Sequence, residues 1–327
     1  MLAKKVQGAG GVGGAAEAYA FVSARGALDD LVSVDISDPS SMSAVSSVGG
    51  FNDPRYVHSD SADGIVVLTD YGVLASVVSV DVSDPSNMSI LQQFQPTYSS
   101  NSYSTYDKAN NVYYDGQFSR SVQSVDCSNP SSLSMLDAIQ LTTYNPQNMK
   151  FDATNDYLIV TSGGGGNGAF FVIDASNPAS LSVIGTLIVS GQNFRAVGLN
   201  ESGRQAYVAS TGGLYQISYW APTAPSVVQS AAYGQFSEIE YRPSDSTIYA
   251  TYAGTTYSID PSNLSTKDTL ATSASGVGLH IDDANDVLFS TLSTGVVSVD
   301  ISDPANLSVI QSYTDASMAS NYDLGIG

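Results

Sequence analysis

SVDISDPSSMS, residues 33–43, places Asp35 and Asp38 three apart with Pro39 directly after the second. Read alone, the stretch could be an acidic site. Its copies decide otherwise: DVSDP at 81–85, DCSNP at 126–130, DASNP at 174–178 and DISDP at 300–304 repeat the pattern, each followed by a short apolar run such as SMSAVSSV or SLSVIGTL. Two degenerate copies, LYQISYWAPTAPSVVQS from Leu214 and TTYSIDPSNLSTKDTL from Thr255, fill the gap between the fourth and the last. Seven units of roughly 40–48 residues fall in the range of four-stranded propeller blades.

Each unit repeats a period-2 apolar pattern four times, as in QNMKFD, DYLIVTS, AFFVIDAS and LSVIGTLIV of the fourth, which predicts strands a to d. Polar turns rich in Asp, Asn, Gly and Ser join a to b, for example DATND at 152–156 and DDAND at 282–286. The ends of the chain complement each other. The first unit opens on a b-like strand, YAFVSA at 19–24, and the last is followed by an a-like strand in SNYDLGIG at 320–327. Joined, they complete one blade and leave no unpaired inner edge. The expected fold is therefore all-β, a seven-bladed β-propeller over residues 19–327 whose first blade is closed by strands from both termini. Residues 1–18 form a separate Gly-rich segment.

The repeated Asp-Pro pair has a structural use. A side-chain oxygen of Asp38 can accept from a backbone N–H two or three residues on, and Pro39 then occupies a position where its missing N–H costs nothing. The same is expected at Asp84-Pro85, Asn129-Pro130, Asn177-Pro178 and Asp303-Pro304, with Met42, Met88, Leu133, Leu181 and Leu307 tucked inward behind them. Asn stands in for Asp twice, which a cap tolerates and a catalytic carboxylate does not. A lone turn of this kind also offers too few oxygens for calcium. No metal and no cofactor is expected.

Composition restricts function further. The 31 acidic and 11 basic residues give a net charge of −20, which disfavours phosphate contacts with nucleic acid. One cysteine, Cys127, forms no internal disulfide, and two histidines, His58 and His280, are too few for a His-rich metal site. The start of the chain lacks the apolar core of an export signal, and no segment is long enough to insert in a membrane as a helix; synthesis in a cytoplasm is expected. GAGGVG at 8–13 has the G-x-G-x-x-G spacing but no strand before it or helical pattern after it, so it is not read as a nucleotide loop. No carboxylate pair stands out as a glycosidase pair, and the protein is expected to be non-enzymatic.

Binding is expected on the end of the ring that carries the d-to-a connections, where Tyr, Phe, Asn and Gln are frequent. Rigid aromatics beside amides and hydroxyls suit sugars or protein surfaces. The candidates are Phe51, Arg55, Tyr98, Tyr103, Tyr144, Asn145, Asn193, Phe194, Tyr233 and Phe236. Trp220, in the irregular YWAPTAPS on the opposite end, is a candidate partner contact.

Two resemblances attach to these residues. The recurring V-D-I-S-D-P-S-x-L/M resembles the LVIVD-type repeat of β-propellers in cell-surface and other extracellular proteins, which implies the propeller fold and carries no catalytic residue. The opening LAKKVQGAGGVGG is similar to the short leader of structural proteins of tailed, particularly marine, bacteriophages. That resemblance implies a virion component present in several copies, on the tail, with Lys4, Lys5, Val6, Gln7, Gly8, Gly10 and Gly11 docking it to other virion proteins. The propeller would then contact a host-surface glycan or protein. The alternatives are a structural propeller that seals or decorates an assembly, and a cell-surface binding propeller of a bacterium.

Overall fold

The computed structural model describes residues 19–326 except 26–28, 61–62, 72–75, 97–100, 142, 165, 316–317 and 319–320, and gives the backbone alone for 101–102, 274–277 and 321–322. The leader residues Lys4 to Gly11 and Tyr98 lie outside the described residues. Seven antiparallel four-stranded sheets form a ring, and each runs a-b-c-d from the axis outward. The first blade is built as the two termini predict: Asn321–Ile326 is its strand a, paired to Tyr19–Ala24 with Ala20 opposite Ile326 and Val22 opposite Leu324. Strand a of this blade packs between those of blades 7 and 2, which closes the circle.

Strands b and c are buried on both faces, because each blade is sandwiched between two others. Ile65–Asp70 (IVVLTD) has no exposed position, and its near-continuous apolar run is what a strand covered on both sides requires. Side chains alternate between neighbours: Ala20 and Val22 pack against Phe289 of blade 7, whereas Phe21 packs against Val66 and Leu68 of blade 2. Seven such clusters fill the seven gaps between blades. Outer strands, such as Ser43–Val48, are mostly exposed and alternate accordingly.

The Asp-Pro turn does more than lead strand c into strand d. Asp38 Oδ1 accepts from the Ser40 N–H at 2.9 Å and from its hydroxyl at 2.6 Å, while Asp35 Oδ1 accepts from the Ser37 N–H at 2.9 Å. These local bonds orient the Pro carbonyl toward the preceding blade. A strand-c serine two residues before the first Asp donates to it: Ser33 to Pro85 O at 2.7 Å, Ser79 to Pro130 O at 2.5 Å, Ser124 to Pro178 O at 2.6 Å and Ser298 to Pro39 O at 2.7 Å. Ser258 donates to Pro304 O in the same way, and Gln229 reaches Pro261 O at 3.1 Å where blade 5 lacks the serine. Between blades 4 and 5 the turn presses closer still. A Cβ on Gly185 would lie 1.9 Å from Pro222 O, so only glycine fits there. The motif therefore latches each blade to its neighbour.

Turns between a and b share another device. Gly64, Asn111, Asp156, Arg204, Ser246 and Asp286 all adopt positive φ, between 47° and 65°, as the reversal demands. At five of them the carbonyl then accepts from the residue after strand c, as Gly64 O does from the Val82 N–H at 2.8 Å and Asp286 O from the Ile301 N–H at 2.9 Å.

Candidate functional site

The strand registers align seven inner strands in two rings of positions facing the axis. Residues paired to equivalent strand-b positions are His58, Thr105, Lys150, Gly198, Glu240, His280 and Gly325. Two residues earlier in each strand come Tyr56, Tyr103, Asn148, Ala196, Glu238, Gly278 and Asp323. Apart from Tyr103, Ala196, Gly198 and Gly278, these residues line a central cavity of about 200 Å³. The ring has thus gathered three carboxylates, one ammonium and two imidazoles from five blades.

Lys150 Nζ lies beside Glu240 Oε1 at 2.5 Å and 3.6 Å from Glu238 Oε1. Glu238 Oε2 accepts from Asn148 Nδ2 at 3.2 Å. Asp323 accepts from two backbone N–H groups, Val57 at 3.0 Å and Leu324 at 2.8 Å. Burial dominates the acids: it pushes Glu238 up to about 8 and Asp323 up to about 7, against the pull of Lys150 on both. Burial alone would lower Lys150, but Glu240 and Glu238 outweigh it and the ammonium is held charged. His58 falls to about 3 and His280 to about 4, mainly by burial and further by Lys150 and Lys108. Both imidazoles are therefore neutral at neutral pH, and His58 Nε2 pairs with Ser104 Oγ at 3.0 Å.

This wall makes stability depend on pH. Glu238 has a folded pKa raised above its unfolded value, so its contribution is fully present below about pH 4.5 and is lost as pH rises toward about 8. Glu238→Gln is expected to gain about 2 kcal/mol over the parent at pH 8.5 and much less at pH 5.5. Guanidinium midpoints at the two pH values measure it; an equal gain at both would contradict the assignment.

A second, smaller cavity of about 130 Å³ opens at the end of the ring that carries the d-to-a connections. Its wall combines Tyr103, Gln147, Asn148, Arg195, Gln235 and Ser237, and Asn148 joins it to the central cavity. Arg195 and Ser237 are exposed, and Gln235 Nε2 is buried without a hydrogen-bond partner. The Tyr103 ring lies 4.8 Å from that of Tyr56, which continues the wall inward.

Of the ten ligand candidates read from the sequence, the structure brings Tyr103 and Phe236 to this mouth among the described residues. Phe194 and Phe236 are fully buried and Phe51 is 8% exposed; all three are wedges between blades, which corrects their expected exposure. Tyr144 packs against Phe171, and Tyr233 donates its hydroxyl to Leu264 O at 2.7 Å. Arg55 pairs with Asp53 at 2.7 Å and lies over the Tyr71 ring. Asn193 Oδ1 accepts from the Gly164 N–H at 3.2 Å, and Asn145 offers its carbonyl to Ser162 at 2.5 Å. These aromatic positions start strands, where a ring fills the narrowing gap between two twisted sheets. Trp220 is 67% exposed on the opposite end, with the Arg204 guanidinium 5.2 Å from its ring.

Among the described residues no three His, Cys, Asp or Glu side chains converge as a metal site, and no helix is long and apolar enough to cross a membrane. Comparison with known sequences matches the LVIVD repeat at residues 15–49, 61–95, 156–188 and 293–315. These four stretches are similar to the LVIVD repeat. No curated protein matches the chain. Solved structures share the propeller architecture at low identity: a Lactobacillus plantarum protein (TM-score 0.82, 12% identity, 95% of this chain and 99% of that one) and the periplasmic gluconolactonase of Pseudomonas aeruginosa (0.75, 12%, 95% and 99%). A Bacteroides fragilis protein provisionally described as a 6-phosphogluconolactonase has TM-score 0.79 at 14% identity, over 95% of this chain and 98% of that one. At such identities the likeness establishes fold alone.

Proposed function

We propose that this propeller is a recognition module of a larger particle, a phage tail, and that it binds a host-surface glycan at the mouth of its channel. The observation that carries the reading is the concave wall of Tyr103, Gln147, Arg195 and Gln235, which joins a flat ring to amide and guanidinium donors. Sugars are held by such donors and by stacking on aromatic faces. The phage placement rests on the leader's sequence similarity, with residues 1–18 docking the chain to other virion proteins and Trp220 available as a second contact. Strand b of blade 1 begins at Tyr19, so the leader precedes every described strand.

The test is adsorption of particles, or binding of purified protein to host surface polysaccharide. Arg195→Ala combined with Gln235→Ala is expected to weaken binding at least about tenfold, or 1.4 kcal/mol, while the melting temperature stays unchanged. Undiminished adsorption would remove the recognition role, and absence of the chain from purified particles would remove the virion role.

A second reading follows from the central carboxylates. Glu238, Glu240 and Lys150 could activate water and stabilise charge during opening of a sugar lactone, the reaction named for the P. aeruginosa relative. Hydrolysis of δ-gluconolactone above the buffer rate, lost in Glu240→Gln, would favour it.

A further inference from the structure

The charges in the central cavity do not balance. Glu238, Glu240 and Asp323 face it with Lys150 as their shared ammonium, and both imidazoles are neutral. The other cations lie at its two ends: Lys108 is exposed in the a-to-b turn of blade 3, and Arg195 is exposed at the mouth. Unbalanced carboxylates in a secluded site take up protons unless another cation compensates them.

Glu238 and Asp323 occupy equivalent positions in the upper ring, as do Tyr56 and Asn148. The Tyr56 ring on the cavity wall, tilted against that of Tyr103 at 4.8 Å, adds a surface that attracts a cation. His280 completes the lower wall without a hydrogen-bond partner among the described residues, ready to pair with a hydroxyl. A cavity of about 200 Å³ is smaller than drug-sized pockets of roughly 300–1,000 Å³, and suits one sugar ring. The donor set lacks the six or more convergent oxygens of calcium.

We propose that the central cavity takes an amino sugar, with its ammonium held between Glu238 and Asp323 beneath the Tyr56–Tyr103 pair. The inference rests on the recognition reading and narrows it: the glycan residue that enters the channel carries a free amine. Binding should expel the protons that Glu238 and Asp323 hold in the empty cavity, so affinity for an ammonium rises with pH below neutrality. Lys150 and Glu240 from blades 4 and 6, His58 and His280 from blades 2 and 7, and Lys108 below them are the other groups facing this pair.

Calorimetry with glucosamine, glucose and N-acetylglucosamine on the full chain, at about pH 5.5 and 7, tests it. Glucosamine is expected to bind at least about tenfold more tightly than either neutral sugar, more tightly at the higher pH, and with release of protons to the buffer. Glu238→Gln and Asp323→Asn should each erase most of that preference. Equal affinity for the three sugars, no binding of glucosamine, or an unchanged preference in both variants would overturn the proposal. Because the comparison is made on the unmodified protein, a variant that misfolds leaves it decisive. Polysaccharide binding that persists while glucosamine fails would remove the amine assignment alone; loss of both would remove the recognition reading too.

Discussion

A chain ending at Ser320 is expected to lose its cooperative thermal transition and to bind a dye specific for exposed apolar surface. Residues 321–326 supply the inner strand of blade 1. Their removal uncovers the edge of Tyr19–Ala24 and takes buried Leu324 and Ile326 from the cluster that joins Val22 and Phe289. Each such side chain contributes about 1.5–3 kcal/mol. The deletion also leaves the Val57 N–H without Asp323 Oδ2, and Ser59 Oγ without the Ile326 carbonyl. Together these losses approach the whole stability of a typical domain, about 5–15 kcal/mol. The defect is topological as well, since blades 7 and 2 lose the strand against which both pack. Circular dichroism melting of the truncated and parent chains measures the effect, and adding a peptide of residues 318–327 in trans should restore part of the transition. An unchanged melting temperature would show that the ring does not depend on closure through its termini.

The closure and the blade count were legible because each blade repeats one physical problem and solves it with the same residues. Asp35, Pro39 and Met42 recur at fixed spacing since a cap, a turn and an inward anchor are needed seven times. The latch between blades was also written in the sequence, as the serine two residues before the first Asp in five of the seven units, but its partner is a backbone carbonyl in the next unit and leaves no side-chain signature. The channel was harder to foresee. His58, Lys150, Glu240 and His280 look unrelated along the chain, and only alignment of strand registers shows that each stands two residues before the strand's terminal Asp or Arg. Polar residues in otherwise apolar inner strands, as in MKFD and GLHID, were the available signal. The mouth was overshadowed by aromatics at neighbouring positions. Phe194 and Phe236 share the composition of a binding face, yet burial between blades uses the same residue type, and composition cannot separate the two uses.

Arg242 shows how a departure from the repeat can matter more than the repeat, and its replacement by Met is expected to cost about 4 kcal/mol. Five of the other inner strands end in Asp or Asn, whose carboxylate or amide can cap its own turn, as Asp152 Oδ1 does for the N–H groups of Thr154 and Asn155 at 3.1 Å. Blade 6 ends in an arginine that is 4% exposed and reaches into blade 7. Its Nε meets Asp283 Oδ1 at 2.6 Å, Nη1 meets Asp245 Oδ2 at 3.2 Å and the Ile301 carbonyl at 3.3 Å, and Nη2 meets the Asp283 carbonyl at 3.1 Å and the Asp286 carboxylate. The guanidinium thus makes five contacts, three of them to the a-to-b turn of the last blade. Met fills similar volume but leaves three carboxylates near one another and the Ile301 carbonyl without its donor. Asp283 and Asp286 are about half exposed and can turn to water, which keeps the cost below that of a fully enclosed triad. Arg242→Lys should recover only part of the loss, because one ammonium cannot reproduce the planar fork. Denaturant midpoints of the two variants measure this order, and Met equal to the parent would mean that blades 6 and 7 are held by their apolar interface alone. The loss should shrink as pH falls and Asp283, kept below the usual carboxylate range by Ser244 and Arg242, takes up its proton.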